Sequence, residues 1–359
     1  MTGAGRMTSA RRPSPVRRLL PWLAAERGRL VFAVLLGTLA IGSGVGLVAT
    51  SAWLISRAAQ QPPIFELGIA IVAVRAFGIG KGVFRYAERL VSHDAAFRSL
   101  SRLRLAVYDR LAAVAPAGLP AFRRGDLLER LVRDVDALQD LPLRVVVPYA
   151  AGTAVAVGSV LLAWLILPAA GVVLLVSLLA AATAVPWLTW RTAADAERAT
   201  APVHGQLTAE VMALLDGLGD VVSSGAAADR LSRINRWDER RADLTRRSAA
   251  ASGFAQGLGV LLSGGAVIAM LMVAIPRVHD GSLAGVNLAV LTLLPLATYE
   301  AVVTLPVAAL ALARIHGSAL RVVQVLDAVD PVVAPLAPAA PPHGVPALVL
   351  RDVHAGWPG

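Results

Sequence analysis

Arg85, Arg89 and His93 stand four residues apart, and Tyr86 lies seven before His93. On a helix with 3.6 residues per turn these four share one face. Two guanidiniums, a phenol and an imidazole in one stripe suit a flat, partly apolar anion. Haem would set its propionates on the arginines and its iron on His93. Glutathione, with two carboxylates, would use the arginine pair and leave His93 idle. The structural alternative has Arg85 and Arg89 reaching to lipid headgroups, Glu88 pairing with a neighbouring arm, and His93 packing in a helix bundle. The other histidines (204, 279, 316, 343 and 354) show no ligand spacing, so no metal site is expected apart from haem iron on His93.

The same segment carries two cations further upstream. Arg75 and Lys81 interrupt the apolar run from Ile64 to Phe84. An unpaired arginine at mid-membrane costs at least ~2.5 kcal/mol, so Arg75 needs a cavity, a helix partner or a counter-charge. Glu300, isolated in another apolar run, is one partner; a substrate carboxylate is the other. Lys81 either reaches the interface or adds to an anion site. Positive charge at 75, 81, 85 and 89 favours a small anionic cargo over a cationic one.

Long apolar elements must position these groups. The chain has 359 residues, is 56% hydrophobic and has a mean hydropathy of +0.65, which points to an all-α polytopic membrane protein. It has no cysteine, which excludes disulfides, thiolate metal sites and cysteine nucleophiles. The net charge of +10 comes from 33 Arg and one Lys. These flank uncharged runs, as in membrane loops rather than a nucleic-acid binder. Spans are expected at about 30–56, 64–86, 145–166, 169–190, 248–275 and 285–313. Leu167-Pro168 divides the 46 uncharged residues between Arg144 and Arg191 into two crossings. The N-terminal segment 1–29 holds seven Arg, residues 85–144 eleven, and residues 191–247 nine. The positive-inside rule then puts both termini and the two long charged segments in the cytoplasm of a multi-pass membrane protein.

Both charged segments read as helix throughout, with breaks at Pro116–Pro120 and Asp216–Gly219. Each is therefore a long helical hairpin below the membrane with a short turn at its tip. Leu119, Phe122 and Arg123 fall in one tip, Leu215 and Leu218 in the other. Gly42–Gly46 and Gly78–Gly82 read as small-residue packing positions, and Pro295 and Pro306 as kinks in the sixth span. After the sixth span comes a Pro/Ala linker, 331–346, and then an apolar β-like run, 347–359, that resembles the opening strand of a truncated domain.

Four stretches carry a family resemblance: "LLPWL" (19–23), "ATSAWLISRAA" (49–59), "RYAERLVSHDAAFR" (85–98) and the run from Val114 to Pro148 that includes "GDLLERLVRDV". Together with six spans and cytoplasmic arms, they resemble the membrane domain of a type IV ABC exporter, within it the CydC half of the CydDC thiol-reductant exporters. The resemblance implies six long helices with cytoplasmic extensions and two coupling helices, at 117–123 and 213–219, that press on nucleotide-binding domains. It implies a heterodimer with a CydD-like half, contact with membrane lipids, and ATP on a nucleotide-binding domain. The implied work is movement of cysteine, glutathione or haem in support of cytochrome bd assembly. Trp357 stands where such a domain stacks an aromatic on adenine. The 359 residues contain no G-x-x-x-x-G-K-[ST], so they are not expected to hydrolyse ATP by themselves. An exporter half for lipid or peptide, and a haem-binding assembly factor that transports nothing, remain open as rivals.

Overall fold

In lipid a backbone must satisfy its own hydrogen bonds, so a chain this apolar is expected to fold as helices. The computed structural model describes residues 26–115, 133–302 and 305–328, with residues 15, 18, 19, 21, 351 and 352. Among them there is no strand. The helices are α1 (Arg27–Ala58), α2 (Ile64–Val114), α3 (Val147–Ile166), α4 (Pro168–Asp216), α5 (Leu218–Ser223), α6 (Ala227–His279), α7 (Gly285–Val302) and α8 (Leu305–Leu326). A π-helical turn at Leu141–Val146 leads into α3. The linker 331–346, residues 117–123 with Leu119, Phe122 and Arg123, and Trp357 lie outside the described residues.

Among the described residues, five stretches are long and apolar enough to cross a membrane: Arg27–Ala58, Ile64–Val114, Val135–Ile166, Pro168–Leu188 and Ala227–His279. Gly285–Ala301 is a shorter apolar helix. Helices α2, α4 and α6 have 51, 49 and 53 residues. At 1.5 Å per residue each is roughly 75–80 Å long, more than twice the ~30 Å hydrocarbon core. Pro295 sits inside α7, whereas Pro306 is the second residue of α8, where a missing N–H costs nothing.

The chain forms two compact units. The larger comprises residues 27–95 and 141–314. Helix α4 packs most extensively on α6, and α7 packs on α1, α3 and α6. Leu174, Met270, Leu291 and Leu294 are fully buried at its centre. Helix α1 buries Ala33, Leu36, Gly37, Ala40 and Gly44, mostly small residues that let backbones approach without a hydrophobic drive from water. Helix α2 differs along its length: Phe65, Ile69, Val72, Ile79 and Val83 are exposed, whereas Ala95, Ala96, Leu100, Leu103 and Val107 are buried.

The glycine positions are a partial correction. Gly42 approaches Val155, and a Cβ at Gly46 would sit 2.9 Å from the Phe77 ring, so this pair does pack. Gly78 and Gly82 have open space beside them; the close position on α2 is Gly80, where a Cβ would lie 3.3 Å from Ser43 Oγ. The expected motif was thus shifted by two residues, onto the face of α2 turned towards α1.

The smaller unit gathers residues 1–26, 96–140 and 315–359, of which the described part is held by charge pairs over an apolar seam. Its α8 residues Ile315, Ala319, Val322 and Val325 recur at helical spacing and are buried. Arg321 Nε donates to Asp134 Oδ2 at 2.6 Å, and Arg102 pairs with Glu26 at 2.7 Å. Both carboxylates are about 5% exposed, so each depends on its arginine. Arg104–Asp136 and Arg18–Asp327 add two more exposed pairs.

Between α3 and α4 only Leu167 is non-helical, with extended backbone (φ −152°, ψ 112°). Pro168 starts α4, and Gly171 lies against Trp164, where a Cβ would sit 2.8 Å from the tryptophan Cα. That neighbour is backbone and cannot swing aside. Gly171→Ala is therefore expected to destabilise the protein by roughly 1–3 kcal/mol, read as a lowered Tm in detergent. Arg321→Ala is expected to cost about 1–3 kcal/mol by leaving Asp134 buried without its partner. The double variant Arg321→Ala/Asp134→Ala should lose less than the sum of the singles in the same melts.

Candidate functional site

The seven residues singled out by charge and spacing fall on α2 and α7 of the larger unit. Taking 100° per residue and Arg85 as origin, Arg89 lies at about 40°, His93 and Arg75 at about 80°, and Tyr86 at about 100°. Lys81 falls at about −40°, some 120° from Arg75. Arg85 lies between them, so the six groups fan over about 140° of one side of α2, with Lys81 at one edge and Arg75, His93 and Tyr86 towards the other.

Arg75, Tyr86, Arg89 and His93 are exposed, while Arg85 is partly buried. Arg75 has no ion-pair or hydrogen-bond partner among the described residues. His93 Nδ1 lies 2.9 Å from the Arg89 carbonyl oxygen. An acceptor there requires Nδ1–H, so the neutral ring carries its lone pair on Nε2. This is the tautomer in which Nε2 can ligate iron, with the second nitrogen already oriented by a backbone carbonyl.

At the edge of the fan Lys81 Nζ donates to both carboxylate oxygens of Glu300, each at 3.1 Å. This corrects the expected Arg75–Glu300 pair. The physical reason is depth and azimuth together. Lys81 is 17 residues from the start of α2 and Glu300 is 15 from the start of α7, so both sit roughly 22–26 Å from those ends. Arg75 is six residues short of that level and turned about a third of a circle away. The pair is about half exposed, 40% for Lys81 and 52% for Glu300. At this depth ions do not face lipid tails, so their exposed side belongs to a polar cavity or a partner surface.

Sequence reasoning missed the lining around the pair. A Cβ at Gly44 would come within 3.4 Å of Lys81 Nζ, so α1 forms one wall through a glycine. Ser43, one residue before, lines a cavity of about 390 Å³ with Thr38, Phe77, Val155, Ser159 and Leu162, between α1, α2 and α3. A second cavity of about 410 Å³, between α3 and α4, is lined by Tyr149, Thr153 and otherwise apolar residues such as Leu175 and Leu179. Its lining suits a lipid chain rather than a charged molecule. The signal for the first site was present in the sequence: Lys81 is the only lysine among 359 residues, and it lies in an apolar run.

At the tip between α4 and α6, Leu215 lies in the last turn of α4 and Leu218 opens the six-residue α5. Gly217 separates the two helices, and Leu215, Leu218 and Val222 are exposed. Exposed leucines on a short helix joining two very long ones form a small apolar contact surface. Among the described residues no cluster of His, Asp and Glu could hold a metal ion.

No protein-family model matches the chain. Curated proteins do. The chain is 28% identical over 354 residues to the glutathione/L-cysteine transport system ATP-binding/permease protein CydC of Escherichia coli, covering 96% of this chain and 61% of that protein. It is 37% identical over 139 residues to CydC of Haemophilus influenzae, 37% of this chain and 24% of the relative. It is 38% identical over 131 residues to CydD of Bacillus subtilis, 36% of this chain and 23% of the relative. The chain thus spans about three fifths of the length of the E. coli protein it resembles throughout. The chain is thus similar in sequence to the CydC and CydD transport proteins, and its described residues form apolar helices long enough to span a membrane and no strand.

Proposed function

We propose that the chain is the membrane part of one half of an ATP-driven exporter. It pairs with a CydD-like half and moves cysteine or glutathione across the bacterial inner membrane, with both termini cytoplasmic, in support of cytochrome bd assembly. The observation that carries this reading is the similarity along 96% of the chain to a glutathione/L-cysteine transport protein. The cationic residues of α2 support it, because they suit a carboxylate-bearing cargo. Arg75, Lys81, Arg85 and Arg89 descend one helix, and Arg75 has no counter-charge among the described residues. The 359 residues contain no G-x-x-x-x-G-K-[ST], so this reading assigns ATP binding to sequence outside them. The tips at 117–123 and 213–219 would take up the motion of ATP-binding domains.

A second reading is favoured by the tautomer of His93. Haem would be held by His93 Nε2, with Arg85 and Arg89 for its propionates and Tyr86 beside its edge. Haem supplies iron and a chromophore; the chain supplies the axial nitrogen and the counter-charges. The two readings are compatible on one helix.

Inverted membrane vesicles containing the intact transporter are expected to accumulate radiolabelled cysteine or glutathione only with ATP, and Arg75→Ala is expected to lower the initial rate at least fivefold. Uptake without ATP dependence, or none, would remove the transport reading. Titration of haem into the purified complex is expected to give a saturable absorption change that His93→Ala abolishes and Arg89→Ala weakens. Unaltered spectra in the His93 variant would return that side chain to a packing role.

A further inference from the structure

We infer that Lys81 and Glu300, with the adjoining cavity between α1, α2 and α3, form a binding site for the head group of a zwitterionic α-amino acid. This inference rests on the transport reading for its cargo and goes beyond it in naming the recognised group and the residues.

The geometry is that of an exchangeable pair. Lys81 Nζ is held by both oxygens of Glu300 at equal distance, 3.1 Å. The pair is not closed off: its two side chains are 40% and 52% exposed. A permanent intramembrane latch is expected to be buried or enclosed by further hydrogen bonds, since each exposed donor or acceptor at that depth needs a polar partner. An incoming α-carboxylate can take Lys81 while the incoming α-ammonium takes Glu300. Each protein charge then keeps an opposite charge throughout, so opening the pair never strands an ion. A ligand with only one of the two charges would leave either Lys81 or Glu300 uncompensated. The site should therefore reject it.

The surroundings fit such a head and its side chain. Gly44 leaves space next to Lys81 Nζ that any side chain would narrow. Ser43, the preceding residue of α1, lines the adjoining cavity, where Phe77, Val155 and Leu162 give an apolar wall with Thr38 and Ser159 beside them. That is room for a small side chain next to an ion-pairing head group. Free cysteine carries one α-ammonium and one α-carboxylate. So does glutathione, on its γ-glutamyl end. One zwitterion site thus explains how two molecules of different size and charge could be taken by the same protein, without any thiol-specific contact. Arg75, turned about 120° away, is left for the remaining carboxylate of the larger molecule or for the opposite side of the path.

The test is equilibrium binding of radiolabelled cysteine to the full-length transporter with its partner half in nanodiscs, competed by four unlabelled probes. S-methylcysteine keeps the zwitterion and loses the thiol. N-acetylcysteine loses the ammonium, and cysteine methyl ester loses the carboxylate. Glutathione keeps the head on a larger body. Cysteine, S-methylcysteine and glutathione are expected to compete within about threefold of one another, and the acetyl and ester analogues at least tenfold more weakly. Glu300→Gln should abolish the discrimination against N-acetylcysteine, and Lys81→Gln that against the methyl ester. Lys81→Gln/Glu300→Gln leaves no orphan charge in the membrane, so it keeps the test open where a single variant fails to fold; it should weaken cysteine binding at least tenfold while remaining monodisperse. Cysteine binding that is unchanged in the monodisperse double variant, or that ignores the acetyl and ester groups, overturns this inference and leaves the transport reading intact. Selective binding of zwitterions with no preference for cysteine or glutathione among amino acids would support the site and overturn the thiol cargo. No binding of any zwitterion overturns both.

Discussion

A charge in hydrocarbon must have a counter-charge or a wet surface, and this rule organises the larger unit. Lys81 and Glu300 belong to helices far apart in sequence, yet each is the partner that brings the other into the membrane. Their bond ties α2 to α7 at one level of the larger unit. Arg85 and Arg89 follow Lys81 round the same side of α2, and Arg75 stands about a third of a turn away without a counter-charge among the described residues.

The smaller unit follows the same rule with a different outcome. Glu26 and Asp134 are almost fully buried, but their arginines are half exposed. There the arginine serves as a cap over a buried carboxylate, and planar guanidiniums suit this because they donate along two directions at once. In the larger unit a compact ammonium binds a carboxylate symmetrically and leaves both half open.

The helical class, the hairpin at Leu167-Pro168 and the tip near Gly217 were all readable from the sequence, because uncharged run lengths, proline and glycine are local signals. The short helix was expected at 213–219 but lies at Leu218–Ser223, because the preceding helix runs on to Asp216 before Gly217 ends it. The partner of Glu300 was not readable. Pairing between α2 and α7 depends on azimuth and depth to within one helical turn, and mid-span position alone favoured Arg75. Glycine spacing misled in the same manner: Gly78 and Gly82 have the spacing of a packing motif, but the face turned to α1 is that of Gly80. The cavity beside Ser43 was invisible because it is made by what three helices fail to fill.

The single extended residue at Leu167 has a consequence for biogenesis. With Pro168 already the first helical residue and Gly171 seated on Trp164, α3 and the apolar part of α4 have almost no slack between them. Two apolar helices tied this closely are expected to leave the translocation machinery and enter the bilayer together, as one hairpin, because neither can travel far alone. The contact between them is local in sequence and forms without waiting for any distant segment. Such a hairpin would be complete before α6 and α7 are synthesised, and could serve as the surface on which those later helices assemble.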